Sequence, residues 1–260
     1  MPESDILKLL SSFDPIQLNE MERVILMNRV EIKYLFPVSK LPVLLDKLSE
    51  YYRILDIDTI RTFPYHTTYL DTSDLLFYTQ QVIGKLNRHK VRYRRYESTG
   101  ESFLEIKKKT NKNRTIKWRI ENSSKAQSPD AEATRFLEEY LPYYLPDLHP
   151  VLINGFNRIT LVGKICNERV TLDYNLSFAS PEGENSGFPF LAVAELKREK
   201  ITCMSPFAIV MKRMGIRSGR FSKYCMGSAL IMDMPRKNLL KHNLLLINKI
   251  ENEYINANRS

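Results

Sequence analysis

The stretch that decides the fold is Arg29-Val30-Glu31-Ile32-Lys33-Tyr34-Leu35-Phe36. Successive side chains of an extended strand point to opposite faces, so Val30 and Ile32 share one face while Glu31 and Lys33 share the other. One face is apolar and able to pack, whereas the other carries a carboxylate and an ammonium group. A single strand of this kind is ordinary, but the same alternation returns in seven further segments of the chain.

These repeated strands predict a barrel with an inverted distribution of charge. The segments are joined mostly by hairpin turns, which indicates an antiparallel sheet of eight strands. Their polar faces carry nine cations: Lys33, Arg92, Arg94, Lys107, Lys117, Arg119, Arg158, Arg169 and Lys197. The simplest alternative is an ordinary barrel with an apolar interior and solvated charges outside.

The kind of cation on these faces favours the inverted arrangement. Arginine dominates them, and its guanidinium group suits bidentate binding of phosphate. A lumen lined by so many cations would repel itself when empty, so a phosphate-rich polyanion is expected to fill it. We therefore predict an α+β fold: a closed, eight-stranded antiparallel β tunnel with a charged lumen and helices packed outside.

Bulk composition agrees with a polyanionic partner. The formal net charge is +9 and the pI is about 9.3, which favours nucleic acid, nucleotide, polyphosphate or an anionic membrane surface. No apolar run is long enough for a membrane span, and the acidic N-terminus is not that of a signal peptide. The widely spaced Cys166, Cys203 and Cys225 predict reduced thiols in a cytoplasmic protein.

The chain is expected to form one domain. Neither an internal repeat nor a linker separates parts of residues 1–260, and the predicted core covers about 29–232. A final helix over about 236–256 is rich in Lys and Asn and carries a short apolar patch. That helix is predicted to be either a docking surface or an amphipathic lid.

Three carboxylates share the predicted lumen with the cations. Glu31, Glu105 and Glu195 each precede a lysine by two residues and so lie on the same strand face as that lysine. Carboxylates beside phosphate-binding cations are expected ligands for Mg²⁺ or Mn²⁺, with Glu195 the leading candidate. The alternative is that each carboxylate is only an ion-pair partner that relieves repulsion among the cations.

The motifs of these strands resemble those of a known family. The chain is similar to the VTC domain, the polyphosphate polymerase module of the vacuolar transporter chaperone complex, which belongs to the triphosphate tunnel metalloenzymes and is related to the CYTH proteins. The similarity runs from about residue 29 to about 231. It is carried by the opening stretch and by Tyr69-Leu70-Asp71-Thr72, Val91-Arg92-Tyr93-Arg94-Arg95-Tyr96, Phe103-Leu104-Glu105-Ile106-Lys107, Asn157-Arg158, Arg169-Val170-Thr171-Leu172-Asp173, Ala194-Glu195-Leu196-Lys197 and Phe221-Ser222-Lys223-Tyr224.

The resemblance implies an activity and a set of site residues. The family transfers the terminal phosphate of ATP to a growing inorganic polyphosphate chain inside a tunnel, with a divalent metal. Carried onto this sequence, Glu195 would hold Mn²⁺ or Mg²⁺, with Glu31 and Glu105 as further candidate ligands. The catalytic tunnel residues would be Lys33, Arg92, Arg94, Lys107, Arg158, Arg169 and Lys197, and the further phosphate-binding residues would be Ser222, Lys223, Lys117 and Arg119.

One departure bears on the kind of reaction. The wider tunnel family opens on Glu-x-Glu-x-Lys, and here Arg29 replaces the first Glu, as it does in the VTC branch. This loss favours a polymerase over a hydrolase with two metals. The chain resembles a stand-alone, bacterial version of the domain whose coupling to a membrane would need a membrane-protein partner.

Three other functions compete with the polymerase. A metal-dependent triphosphatase or polyphosphatase would use water as the nucleophile in the same tunnel. A sensor, or a subunit of a complex, would bind polyphosphate or nucleotide without turnover. Nucleic-acid binding is the weakest of the alternatives, because the aromatic residues are predicted to lie mostly on the packing faces and to form no stacking platform.

Overall fold

The fold is built on one large, mostly antiparallel sheet. It is taken from a computed structural model that describes residues 3–22, 29–97, 99–112, 114–122, 129–142, 147–199 and 204–257. The strands are β1 (Asp14–Ile16), β2 (Arg29–Pro37), β3 (Tyr52–Leu55), β4 (Phe63–Asp71), β5 (Arg88–Tyr96), β6 (Ser102–Lys109), β7 (Thr115–Glu121), β8 (His149–Gly163), β9 (Glu168–Ala179), β10 (Asn185–Phe188), β11 (Leu191–Glu199) and β12 (Ser218–Gly219).

Eight α-helices flank this sheet among the described residues. They are α1 (Glu3–Leu10), α2 (Leu18–Glu22), α3 (Leu41–Leu48), α4 (Leu76–Val82), α5 (Ala131–Tyr140), α6 (Pro206–Arg213), α7 (Lys223–Ile231) and α8 (Lys241–Ala257). The predicted final helix is confirmed as α8, preceded by a 3₁₀ turn at Lys237–Leu240. None of the helices in the described part of the chain combines the length and the apolar composition that a membrane crossing requires.

The strand order is β12-β2-β11-β9-β8-β4-β5-β6-β7. The prediction of an α+β fold with a large antiparallel sheet is therefore confirmed. Backbone pairing among the described residues follows an open path with β12 at one end and β7 at the other, and does not itself close a barrel. The sheet also has twelve strands rather than eight, because the short β1, β3, β10 and β12 join it at its margins.

Apolar residues on one face of the sheet explain where the helices lie. In α3, four leucines recur at intervals of three or four residues and are completely buried: Leu41, Leu44, Leu45 and Leu48. They pack with α1 and α6 against the apolar side chains of β2, β8, β9 and β11. A second cluster packs α5 against β5 and β6. Alternation in the strands thus leaves the charged face on the side away from these helices.

A third cluster packs α4, α7 and α8 at one end of the sheet. Asp71, the last residue of β4, stabilises this end of the sheet. Its buried carboxylate accepts hydrogen bonds from the backbone N–H groups of Thr72, Phe77 and Tyr78. The Tyr224 hydroxyl donates to the same carboxylate across 2.5 Å. One carboxylate therefore joins the start of α4 to α7.

Helix α7 approaches the sheet closely at Gly227. A Cβ atom at this position would lie 2.3 Å from a ring carbon of Phe178 and 2.9 Å from a methyl carbon of Leu152. We expect Gly227→Ala to lower the free energy of unfolding by about 1–3 kcal/mol, because α7 or Phe178 must shift. Chemical denaturation measures this change. Ser228→Ala is the control, because its buried hydroxyl has no hydrogen-bond partner among the described residues. An unchanged free energy of unfolding in Gly227→Ala would contradict the close approach.

One cysteine differs from the prediction of three reduced thiols. Cys166 is disulfide-bonded, so the prediction of three reduced thiols is wrong for this residue. Cys225 is a free, buried cysteine in α7. The remaining cysteine, Cys203, lies outside the described residues.

Candidate functional site

The charged face of the sheet is organised around three carboxylates that each bind two cations. The first is Glu195 in the middle of β11, which lies opposite Lys33 of β2. Its two oxygens accept from Lys33 Nζ at 2.9 Å and from Lys197 Nζ at 2.7 Å. Burial opposes ionisation, but the ammonium groups of Lys197 and Lys33 hold the pKa of Glu195 well below its usual range. Glu195 is therefore a carboxylate at neutral pH.

The second carboxylate is Asp173 of β9. It lies opposite Arg158 of β8, which donates to it in a bidentate fork at 2.6 and 2.8 Å. Lys223, the first residue of α7, forms an ion pair with the same carboxylate. Burial raises the pKa of Asp173, but the charges of Arg158 and Lys223 outweigh burial and lower it to about 2. This contact brings the start of α7 onto the charged face.

The third carboxylate is Glu105 of β6, whose side chain is fully buried. Arg92 of β5, directly opposite, donates Nε and Nη2 to one carboxylate oxygen at 2.8 and 2.6 Å. Lys117 of β7 forms an ion pair with the other oxygen. Arg92, Arg94 and Lys117 together keep the pKa of Glu105 well below its usual range despite burial.

Two cations on this face lack such a carboxylate. Arg94 is buried, and its Nε has no hydrogen-bond partner in the part of the chain that the structure describes. Lys107 forms no ion pair with any described residue. The charge of Arg92, together with burial, holds the pKa of Lys107 well below its usual range. Both side chains are therefore placed to gain a negatively charged partner.

Contacts at the start of α7 indicate that the charged face is concave, because the neighbouring Ser222 and Lys223 contact Lys90 of β5 and Asp173 of β9, and charges also act across the sheet. The charge of Lys197 on β11 contributes to the lowered pKa of Lys107 on β6, although four strands lie between β11 and β6 in the sheet order. The charge of Lys33 likewise acts on Lys90 of β5. Such strands interact only if the sheet curves strongly around its charged side. The cations consequently surround a common space.

The N-terminus of α7 opens onto the same space. Ser222 is the N-cap, and its hydroxyl accepts a hydrogen bond from the backbone N–H of Cys225 at 3.4 Å. Lys90 donates its Nζ proton to this hydroxyl at 3.2 Å. Burial, followed by the positive charges of Lys33 and Arg92, lowers the pKa of Lys90 to about 8. An anion bound here would gain from both the helix terminus and the ammonium group.

Aromatic side chains lie on the charged face as well as on the packing face. Tyr65 stacks on Phe156 with ring centroids 5.3 Å apart. The guanidinium groups of Arg94 and Arg158 lie over the Tyr65 ring at 5.4 and 5.0 Å. Tyr65 is therefore an aromatic residue beside the cations, whereas Phe156 is buried in the core, which agrees with aromatic residues that lie mostly on packing faces.

The carboxylates of the charged face supply part of the ligand set that a divalent metal requires. Mg²⁺ and Mn²⁺ bind through oxygen ligands, commonly one or two carboxylates together with phosphate oxygens. The described residues contain no group of three or more His, Cys, Asp or Glu side chains placed to hold a metal ion. Glu105, Asp173 and Glu195 lie in separate ion pairs, and Glu31 is exposed opposite Lys197 at one end of the face. The residues therefore fit a metal that phosphate oxygens bind together with one carboxylate.

Most residues predicted from the sequence converge on the concave face, although their roles remain predictions. Lys107 lies among them without an ion pair to any described residue, and the others make the contacts given above: Lys33, Arg92, Arg94, Lys117, Arg158, Lys197, Ser222, Lys223, Glu105 and Glu195. Arg169 lies opposite Lys197 near the start of β9. Arg119 is exposed, and its guanidinium lies 4.7 Å from the centroid of the Phe103 ring.

Three residues of the site were not singled out from the sequence. Strand alternation puts Asp173 on the same face as Arg169, but its role as the partner of Arg158 and Lys223 depends on cross-strand register. Lys90 belongs to the alternating pattern of β5 and could have been found from it. Tyr65 shares a face with Thr67 and Tyr69, so the same pattern could have placed it beside the cations.

Comparison with known proteins identifies the class to which this fold and site belong. A profile of the VTC domain matches residues 28–232, which is most of the chain. The chain therefore belongs to the VTC domain family. No curated protein matches it.

Several solved structures are similar to this chain at low sequence identity. A proposed adenylate cyclase from Bacillus halodurans is 14% identical with a TM-score of 0.48, over 75% of this chain and 96% of that chain. A proposed adenylyl cyclase from Hippeastrum with a dominant triphosphatase activity is 15% identical with a TM-score of 0.47, over 80% and 98%. A proposed adenylate cyclase from Vibrio parahaemolyticus is 13% identical with a TM-score of 0.46, over 84% and 99%.

Proposed function

We propose that this protein is a polyphosphate polymerase that transfers the γ-phosphate of ATP to a growing inorganic polyphosphate chain. The observation that carries the proposal is the concave face, where cations outnumber carboxylates, Arg94 Nε has no hydrogen-bond partner and Lys107 forms no ion pair among the described residues. Membership of the VTC domain family supports the same reaction. A linear chain of phosphates supplies the missing negative charge over the length of the face.

Phosphoryl transfer requires positioning and charge neutralisation more than covalent chemistry from the protein. Arg92 and Arg158 present guanidinium forks already held by Glu105 and Asp173, so they lose little freedom when they bind phosphate oxygens. Lys223 and Lys90 add charge at the start of α7. The attacking oxygen of a terminal phosphate is already ionised, so no general base is required.

Glu195 is the residue we propose as the protein ligand of Mn²⁺ or Mg²⁺. A divalent ion bound there would neutralise charge that develops on the transferred phosphate. Lys33 and Lys197 each bind one Glu195 oxygen. A metal ion can bind Glu195 only if these ammonium groups bind phosphate oxygens instead. Glu31 is the second candidate ligand, because it is exposed beside Lys197.

We also propose that the curved sheet acts as a tunnel. Side chains of β7 and of the β2 edge would complete its wall where backbone pairing stops. A tunnel open at both ends suits a polymer, because the product can leave while it grows. Tyr65 is half-buried beside Arg94 and Arg158, and we propose it as the aromatic contact for the base of ATP.

The direct test is to incubate the purified protein with ATP and Mn²⁺ and to resolve the phosphate species on a gel. A polyphosphate ladder with release of ADP is expected. Lys223→Ala should abolish the ladder, whereas Lys212→Ala on the exposed side of α6 should leave it unchanged. Free phosphate without a ladder would instead establish a triphosphatase. Binding of polyphosphate without either product, with affinity unchanged in Glu195→Gln, would establish a sensor or a subunit.

Binding of tripolyphosphate is expected to weaken as the pH rises through about 8, because Lys90 then loses its proton. Between pH 7 and 9 the loss should reach up to about tenfold, since affinity follows the protonated fraction. Titration calorimetry at several pH values measures it and should show proton uptake on binding near pH 8. Lys90→Arg keeps the charge at these pH values and should flatten the profile. An equally steep profile in that variant would contradict the role of Lys90.

A further inference from the structure

Charge is distributed very unevenly along β5, β6 and β7. Residues 85–96 and 106–120 contain thirteen Lys and Arg residues and no Asp or Glu. At the opposite end of the same three strands the chain carries Glu97 and Glu101 around the β5–β6 turn and Glu121 at the end of β7. The strands are antiparallel, so these three carboxylates gather at one end of the sheet together with Arg94, Arg95 and Arg119, whereas residues 85–90 and 106–117 at the other end carry cations and no Asp or Glu.

The cationic end forms one continuous surface, which we call the basic rim: Lys85, Arg88, Lys112, Arg114 and Arg220. The β6–β7 turn is tied to the segment before β5 by a hydrogen bond from the Asn111 N–H to Asn87 Oδ1 at 3.1 Å. Arg88 donates to the carbonyl oxygen of Lys85 at 2.9 Å. Burial, and to a smaller degree the charge of the nearby Arg220, lowers the pKa of Arg88. Four rim residues are exposed: Lys85, Lys112, Arg114 and Arg220.

The basic rim is continuous with the site described above. Arg88 lies opposite Lys109, and Lys90 lies opposite Lys107. Lys107 in turn lies opposite Lys117. A path of positive charge therefore runs from the concave face, past the Lys90 contact with the α7 N-cap, and out over the β6–β7 turn.

The length of this path points to a polymer. Lys112 lies in the turn beyond β6, five residues after Lys107, and a strand rises about 3.4 Å per residue. Arg88, opposite Lys109, therefore lies about 7 Å beyond Lys107, and Lys112 at the tip of the turn lies on the order of 10–15 Å beyond it. The three phosphorus atoms of a triphosphate cannot span that distance while bound at Lys107. A rim that served only triphosphate would have no anion to bind.

We propose that the basic rim binds the part of a linear polyphosphate chain that extends beyond the concave face, so that the chain leaves the site past the β6–β7 turn. This inference rests on the proposed function, because it assigns the ligand of the same site and the direction in which that ligand runs. Tripolyphosphate is retained by the concave face alone.

The test compares two triple variants of the full chain. The rim variant is Lys85→Gln with Lys112→Gln and Arg114→Gln. The control variant is Lys47→Gln with Lys212→Gln and Arg213→Gln, which removes the same charge from exposed positions on α3 and α6. Dissociation constants for tripolyphosphate and for long-chain polyphosphate are measured at several salt concentrations, because the salt slope reports the number of ionic contacts.

The rim variant is expected to bind long-chain polyphosphate about tenfold more weakly, with a salt slope smaller by about 2. Its affinity for tripolyphosphate should stay within about twofold of the wild type, and the control variant should match the wild type for both ligands. Equal weakening for tripolyphosphate, or equal weakening in the control variant, would overturn the inference.

Three further outcomes separate this inference from the proposed function. If the wild type binds long-chain polyphosphate no more tightly than tripolyphosphate, the rim proposal fails and the proposed function stands. If the wild type binds neither ligand, the proposed function fails and the rim proposal fails with it. If the rim variant loses affinity for a single-stranded oligonucleotide but not for polyphosphate, the rim is a nucleic-acid surface and the inference is wrong.

Discussion

Replacing Lys107 by glutamine is expected to make the free protein more stable and its binding of tripolyphosphate weaker. Lys107 is a largely buried cation held beside Arg92, with no ion-pair partner in the described ranges. Glutamine keeps most of the volume and removes the repulsion, which should raise the free energy of unfolding by on the order of 1 kcal/mol. Loss of a charge-assisted contact to phosphate should weaken binding by about 10- to 100-fold.

The stability gained by Lys107→Gln is expected to change with pH in one direction. The folded-state pKa of Lys107 lies below its ordinary value of 10.5, so the folded state resists protonation of this residue. The cost to stability is fully present below the folded-state pKa and disappears as the pH rises towards 10.5. Denaturation at several pH values should therefore show the advantage of the variant shrinking as the pH rises.

Lys108→Gln is the matched control for this change. Lys108 is the next residue of β6 and points to the other face of the sheet. Neither stability nor tripolyphosphate affinity should change by more than about 0.5 kcal/mol in this control. A Lys107→Gln variant that lost stability while it kept its affinity would show that Lys107 is a structural residue.

The second large effect is expected for Arg92→Ala. The Glu105 carboxylate is completely buried and ionised, and Arg92 supplies two of its hydrogen bonds. Removing one partner of a buried ion pair leaves an uncompensated charge, which costs about 3–5 kcal/mol. In a chain of this size the melting temperature should fall by about 10 °C. Scanning calorimetry and chemical denaturation measure the two quantities.

Two comparisons isolate the cause of that loss. Lys117→Ala removes the partly exposed partner of the same carboxylate and should cost only about 1 kcal/mol. Arg92→Met combined with Glu105→Leu removes both buried charges and should recover much of the stability, while phosphate binding stays impaired. If the double variant were no more stable than Arg92→Ala, the uncompensated carboxylate would not be the source of the loss.

Strand alternation made much of the charged face predictable. Arg92 and Arg94 are two residues apart, so any extended segment places both on one face. The role of Asp173 was not predictable, because an ion pair with Arg158 requires a particular register between β8 and β9. Nor could strand pattern alone decide whether Glu195 faces a metal or two lysines.

The marginal strands were missed for a related reason. The parallel pairing of β1 with β3 joins segments of three and four residues that are far apart in the sequence. Neither segment is long enough to show a clear alternation. Their pairing depends on a sheet that is already assembled. The position of Tyr65 beside the cations was missed because the alternation of a strand predicts that a large aromatic ring is buried in the core.

The carboxylate of Asp71 has a consequence for how the molecule opens. It binds the amides of Phe77 and Tyr78, and it also binds a hydroxyl from a helix more than 150 residues later in the chain. Release of α7 from the sheet therefore exposes those two amides to solvent at the same moment. In hydrogen exchange, the amides of Phe77 and Tyr78 should share one opening free energy with the amides of α7. Helices α4 and α7 are thus expected to open as one cooperative unit, and a ligand that holds Lys223 should slow exchange in both.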